Sequence, residues 1–245
     1  MMVRLKRLII GTPLERLARS LYIRLDPSPW GEYDRLTLAI MRRCLRPNSN
    51  CVDIGAHRGT ILAEIVRQAP DGIHYAFEPV PEHSRYLAKA FPKVRVYELA
   101  LSNVREQASF LHDLEHPTRS SFRRRAEVGR KEVIQVQTDL LDNILPVGWR
   151  VDFIKLDVEG AELPVMQGAV KTLRTQQPVV VLEHTQLAQE CYGVTPEGVY
   201  TFLTQECGMR ISLLRNWLSG AEVLTRAAFE SEVTEGLSLY FVAHG

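Results

Sequence analysis

The stretch Cys51-Val52-Asp53-Ile54-Gly55-Ala56-His57-Arg58-Gly59-Thr60 constrains this chain more than any other. A short apolar strand ends on an acid, two glycines four apart turn the chain, and Ile61 to Gln68 continues as a helix. Strand, Gly loop and helix in that order predict an α/β sheet with a small-molecule site at the carboxyl end of its first strand. The length agrees with this: 245 residues, 45% apolar, suffice for one such domain with a full core and are too few for two large ones.

The chain before that stretch divides at about residue 32. Residues 1–32 read as a basic amphipathic extension, and 33–245 as the domain. Within the extension, Pro13 to about Arg24 has a helical apolar stripe of Leu14, Leu17, Ala18 and Leu21 beside Arg16 and Arg19. Two readings stay open: a helix covering the domain edge, or one that contacts an anionic membrane surface or a biosynthetic complex. Leu8-Ile9-Ile10 is far too short to span a bilayer. Asp26 to Gly31 reads as a turn-rich linker, followed by a helix from about Asp34 to Leu45.

Beyond the Gly loop, His74 to Phe77 reads as a second buried strand ending at Glu78-Pro79, then a helix from Pro81 to about Ala90 and a strand Val94 to Tyr97. Gln107 to Leu111 and Val133 to Thr138 read as strands flanking His112 to Lys131, an Arg-rich stretch without apolar period. That stretch is either a lid or substrate arm or a solvated basic loop. Val151 to Leu156 and Pro178 to Leu182 are the fourth and fifth core strands, and Thr195-Pro196 opens a helix to about Glu206. Met209 to Leu214 and Leu237 to Ala243 end the chain as a hairpin-like pair with one antiparallel member. The expected fold is therefore a Rossmann-like, seven-stranded doubly wound sheet of the class I methyltransferase type with an N-terminal helical extension.

Charge is local rather than global. The net charge is +1, yet residues 1–24 carry six cations against Glu15 and residues 119–131 carry six against Glu127. A nucleic-acid binder is not indicated, because no aromatic ladder accompanies the Arg123-Arg124-Arg125 triplet. That triplet suits either a phosphate or carboxylate on an acceptor, or plain solvation. The four cysteines have no CxxC spacing and no cleavable leader is seen, so the expected setting is cytoplasmic, in solution or at the cytoplasmic membrane face.

The ligand follows from the strand ends. Gly55 and Gly59 do not fit the dinucleotide spacing, and a carboxylate at Asp53 would repel a pyrophosphate but suit a cationic ammonium or sulfonium. Glu78, nineteen residues after Gly59, is placed to accept hydrogens from both hydroxyls of a ribose. These features favour S-adenosylmethionine over a nicotinamide cofactor, with Ala56 and His57 inside the loop and Pro79 after the second strand in the same site.

VDIGAHRGT, AFEPVPEH, ELALSN and above all DFIKLDVEGAE, across about residues 50 to 185, resemble the FkbM family of S-adenosylmethionine-dependent methyltransferases. The leading basic helix and Ser120-Ser121-Phe122 are also similar to members. The resemblance implies O-methylation of a hydroxyl on a sugar, glycan or polyketide-type product, with the cofactor held by Asp53, Gly55, Gly59 and Glu78. It further implies that Ala100, Leu101 and Ser102 border the adenine. Members usually carry Asn where this chain has His57.

A transferred methyl needs an acceptor oxygen that loses its proton, and a placed base contributes roughly 10²–10⁴-fold. Candidates belong at the ends of the fourth and fifth strands: Asp157, Glu159, Glu162, Glu183 and His184, with Asp157, Glu159 and His184 the expected catalytic set. Lys155 inside its apolar strand needs an acid partner or is structural. Asp157, Glu183 and His184 would alternatively hold Mg²⁺ or Mn²⁺, which would acidify the acceptor hydroxyl. The expected partners are thus a small-molecule or glycan acceptor and no nucleic acid. A polyketide, phenolic or other metabolite hydroxyl is the competing acceptor, and a non-catalytic cofactor-binding scaffold the third reading.

Overall fold

The structure, a computed structural model, describes residues 26–113 and 131–245. The predicted N-terminal amphipathic helix, its membrane or complex contact, Ser120 to Phe122 and the Arg123 to Arg125 triplet lie outside the described residues.

The first described helix, α1 (Pro29–Cys44), begins earlier than expected because Ser28 accepts the Gly31 N–H at 3.2 Å and Pro29 occupies the first turn. The Ser-Pro pair read as a turn is a helix start, and the 32/33 boundary falls inside one helix. Strand β1 (Cys51–Ile54), helix α2 (Thr60–Gln68), strand β2 (His74–Phe77), helix α3 (Pro81–Ala90) and strand β3 (Arg95–Tyr97) follow as βαβαβ. A short strand β4 (Ala100–Leu101) and the ribbon β5 (Gln107–Asp113) and β6 (Lys131–Asp139) form a second, three-stranded sheet in the order β4-β6-β5. The ends of the expected arm, His112 and Lys131, are in register within that ribbon's antiparallel pairing, where His112 faces Glu132.

The chain returns through α4 (Leu141–Ile144), β7 (Phe153–Leu156), α5 (Glu162–Gln167), α6 (Val170–Gln176), β8 (Val179–Glu183) and α7 (Gln186–Tyr192). Then come α8 (Pro196–Thr201), which continues as a π turn over Phe202–Glu206, β9 (Arg210–Leu213), α9 (Leu214–Ser219), α10 (Arg226–Thr234) and β10 (Tyr240–His244). The main sheet is seven-stranded, in the order β3-β2-β1-β7-β8-β10-β9, and β10 is antiparallel to both neighbours. The single antiparallel member is as expected; the expected hairpin-like return is not found, since α9 and α10 separate β9 from β10.

Both faces of the sheet are covered, so the strands read as continuous apolar runs, while side chains still alternate between faces. Cys51, Phe153, Val181 and Val242 pack with Leu38, Ile40 and Met41 of α1, Ile61 and Ile65 of α2 and Leu214 of α9. Val52, Ile54, Ile154, Leu156, Val180, Leu182 and Phe241 point the other way, onto Val165, Leu173, Leu203 and Phe229. Fully burying a side chain of that size contributes about 1.5–3 kcal/mol, so α1 is a working layer of the domain. Among the described residues no helix is long and apolar enough to cross a membrane.

Candidate active site

The strand order reverses direction of growth between β1 and β7, which is where ligands bind in open α/β sheets. A cavity of about 290 Å³ opens there, lined by the ends of β1, β2, β7 and β10, by β4 and by one face of α1. Alternation along the strands decides which side chains reach it. Asp53, Lys155 and Asp157 share parity with the residues beneath α1; Asp53 and Lys155 are register partners on adjacent strands, and Glu183 is the register partner of Tyr240.

The β1–α2 loop is held by backbone geometry. Gly55 has φ of 74°, and a Cβ there would stand 1.9 Å from the Asp157 carbonyl oxygen, so a side chain is excluded. Gly59, also at φ of 74°, caps α2 and turns away from the cavity; its Cβ would meet Phe91 at 2.6 Å and Leu87 at 2.7 Å. Gly59 is therefore a packing position between α2 and α3, outside the cavity lining. His57 adopts φ of 47°, and its N–H donates to Glu78 Oε2 at 2.7 Å; the Val80 N–H donates to Glu78 Oε1 at 3.0 Å. Each Glu78 oxygen retains a further lone pair. The His57 ring meets His83 edge-on at 4.4 Å, and burial, then His83, lowers its pKa to about 4.

Asp53 is 1% exposed, and among the described residues no donor meets hydrogen-bond geometry at either carboxylate oxygen, the Leu62 N–H approaching it only loosely. Burial raises its pKa to about 6 against the opposing pull of Lys155. A buried carboxylate without donors is costly, and a cationic group placed beside it would offset that cost. The residues present thus fit a ligand carrying an ammonium or sulfonium. Ala100 and Leu101, given by the resemblance, and Ala56 and Pro79, given by their place at the strand ends, line the same cavity beside Phe77 and Val80.

Lys155 connects the two halves: its Nζ donates to the Gly55 carbonyl at 3.3 Å and pairs with Asp157 Oδ2 at 3.2 Å. Burial disfavours its charge, but Asp157 and Asp53 outweigh burial and raise its pKa. The Tyr240 hydroxyl donates to the same Asp157 oxygen at 2.9 Å. Burial, then Asp157, pushes the Glu183 carboxyl well above the usual range, and it shares a hydrogen bond with Asp157. Burial works against the Asp157 anion too, yet Lys155, Tyr240 and Glu183 together hold its pKa low. Asp157 is in the cavity wall but saturated, an anchor rather than a strong base.

Two expectations give way to the geometry. His184 follows Glu183 and so points to the opposite face, where its ring stacks on Phe229 at 5.9 Å and both nitrogens lack partners. Burial lowers its pKa to about 4, and it does not line the cavity. The proposed cation set Asp157, Glu183 and His184 therefore does not assemble, and among the described residues no trio of His, Cys, Asp or Glu is arranged to hold a metal. Glu159 does reach the cavity, at φ of 59°, a conformation rare outside glycine. Glu162 is turned inward instead: its Oε1 accepts the Val158 and Gly160 N–H groups, each at 3.1 Å, and ties the loop after β7.

Sequence reasoning missed Tyr33, Asp34 and Thr37 of α1, Phe110 of β5 and Tyr240 of β10, all in the cavity wall. The spacing of 33, 34 and 37 on one helix face and the parity of Tyr240 with Val242 were available signals. Nothing local in the sequence ties either to the Gly loop.

The Methyltransferase FkbM domain model matches residues 53–211. Among solved structures, the chain is similar to a methyltransferase FkbM from Methylobacillus flagellatus KT, at 13% identity and a TM-score of 0.53 over 82% of this chain. It spans 44% of that protein's length. Cofactor-bound Rv0187 from MTB (14% identity, TM-score 0.47, 94% of this chain and 88% of that one) is also similar. So is the plantazolicin methyltransferase BpumL in complex with SAH (11% identity, TM-score 0.41, 99% and 98%). A sequence search of curated proteins returns no match. The fold is that of class I methyltransferases.

Proposed function

The chain belongs to the FkbM methyltransferase family, and from that premise we propose that it is an O-methyltransferase that uses S-adenosylmethionine to methylate a hydroxyl of a sugar, glycan or glycoconjugate. The observation that carries the donor is the buried, unbonded Asp53 carboxylate beneath the Gly loop. When bound, the cofactor supplies an electrophilic methyl on a sulfonium. Asp53 would hold the cationic part of that molecule, Glu78 would accept hydrogens from its ribose hydroxyls, and Ala56, Pro79, Ala100 and Leu101, which line the same cavity, would form the apolar bed beside them.

On the other side, Asp157, Lys155 and Tyr240 form a fixed polar wall, and Glu159 reaches the same space. Polar groups locked by one another present a preorganised surface, so positioning supplies much of the rate. Support for a hydroxyl acceptor comes from this wall, and support for a sugar from the family resemblance. The setting proposed is the cytoplasm.

The reading is tested with purified protein, methyl-labelled donor and a panel of glycosides, polyketides and phenols. A sugar product whose new methyl resonates as a methoxy group supports it. Transfer only to phenols or polyketides overturns the acceptor class, and donor binding by calorimetry without turnover on any acceptor would favour a scaffold.

A further inference from the structure

Three facts locate the acceptor side more closely. The family match spans residues 53–211, whereas Tyr33, Asp34, Thr37 and Tyr240 of the cavity wall lie outside it. The Tyr33 and Tyr240 rings, 5.1 Å apart at 37°, form an aromatic surface that Trp30, 53% exposed and just outside the cavity lining, extends by meeting Tyr240 edge-on at 6.4 Å. The Tyr33 hydroxyl is pinned by accepting the Leu239 N–H at 3.0 Å. Beside this surface sits Asp34, a cavity carboxylate to which no hydrogen bond from the described residues runs.

We propose that α1 and β10 build the acceptor subsite, in which a saccharide ring lies against Trp30, Tyr33 and Tyr240 and the Asp34 carboxylate takes the proton of the hydroxyl being methylated. This rests on the O-methyltransferase reading above and names the residues that would carry it.

The chemistry distinguishes Asp34 from Asp157 and Asp53, two other acids of the cavity wall. Asp157 already takes Lys155, Tyr240 and Glu183, which stabilise its anion and hold its pKa low, so it is a weak proton acceptor. Asp53 lies on the donor side, where a cation satisfies it. Glu183 does not line the cavity and shares a hydrogen bond with Asp157. Asp34 is an acid whose ordinary acidity is reduced by burial to a pKa of about 6, moderated by Lys155 and Arg35 and reinforced by Asp157 and Asp26. A base poised near neutral pH is ionised in the cell yet holds a proton well. Aromatic faces complement the C–H faces of a sugar ring, and a carboxylate complements its hydroxyls. The step balances: the acceptor oxygen forms the new C–O bond as the donor's C–S bond breaks, sulfur keeps that electron pair, and the hydroxyl proton passes to Asp34.

The test uses the full chain and a glycoside found active in the panel above. With the donor saturating at every pH, wild type should show kcat/KM for the glycoside rising with pH through an apparent pKa near 6. Asp34→Asn should lose roughly 10²–10⁴-fold in kcat, abolish that limb, and keep donor affinity by calorimetry within about twofold, the range that separates a lost base from a lost cofactor site. Asp34→Glu should recover part of the rate. Trp30→Ala, at an exposed position, should raise acceptor KM about tenfold with little change in kcat, as expected for lost uniform binding. It should also weaken glycoside binding measured calorimetrically in the presence of S-adenosylhomocysteine. Wild-type turnover of the glycoside with Asp34→Asn equally active and the pH limb intact overturns the assignment alone. Wild type that methylates only acceptors lacking a sugar ring overturns the stacking surface together with the sugar reading.

Discussion

The two sides of the cavity are built by different means. On the donor side, a continuous loop and the end of β2 fix each other by backbone contacts: the His57 and Val80 N–H groups grip Glu78, and Gly55 admits the Asp157 carbonyl. On the opposite side, proposed above as the acceptor side, side chains from α1, β7, β8 and β10 hold one another by charge and hydrogen bonds, with Lys155 and Asp157 at the centre. Backbone-built sites tolerate little change in shape, and side-chain-built sites tolerate little change in charge. The contrast makes the donor side a matter of local geometry and the acceptor side a matter of long-range assembly.

Substitutions can break this comparison, and the largest effect belongs to Gly55→Ala. Its Cβ would stand 1.9 Å from a backbone oxygen at a φ of 74°, so the cost should approach the whole folding free energy of about 5–15 kcal/mol. Loss of cooperative thermal unfolding checks this; a well-folded variant would mean that the loop is free to move off β7. Lys155→Met comes next. It leaves Asp53 and Asp157 without their shared cation, and breaking a buried pair in this way costs about 3–5 kcal/mol. Urea unfolding at pH 7 should show that loss, and it should shrink near pH 5 as Asp53, with a pKa of about 6, takes up a proton.

Glu78→Gln tests the donor side by replacing one acceptor oxygen with an NH2 donor. One of the two backbone N–H groups that Glu78 accepts would then lose its partner, and bonds to charged groups contribute about 1.5–3 kcal/mol each, so donor affinity should drop at least tenfold in calorimetry while acceptor KM holds. A smaller effect is expected from pH. Asp53 is raised to about 6 when the site is free, and a bound cation favours its ionised form, so donor affinity should weaken below pH 6 by up to about tenfold per unit. Asp53→Asn should flatten that slope.

The smallest effect sharpens the boundary of the site. His184 is on the far face, so His184→Phe should leave kcat within about twofold, since no reacting group would be touched. Its folded pKa, about 4, lies below the ordinary value near 6.5, so the neutral ring contributes stability present above pH 6.5 and lost as pH falls toward 4. The Phe variant should lack that part of the acid lability, read from the unfolding midpoint at pH 5 against pH 7.

Much of the donor side was legible because it is contiguous. Asp53, Gly55, His57 and Glu78 stand at strand ends within two βα units, and the order of strand, loop and helix fixes their relative places. Gly59 shows the limit of that logic: a motif glycine turned out to serve α3, because the same φ that makes a loop also admits a close helix. His184 shows another, since naming a strand end does not say which of two consecutive side chains faces the ligand. The alternation of the strand answers it, and Val181 and Glu183 on one face with Leu182 and His184 on the other could have been counted.

What the sequence determined by itself was the sheet, the family and the chemistry of the donor loop, because local periodicity and short motifs act over a few residues at a time. What only the tertiary structure decided was the acceptor wall. Residues 33–37, 155–159, 183 and 240 meet because the sheet twists them under one helix and burial forces their charges to satisfy one another. Such compensation is set by distance in space, and no pattern along the chain records it.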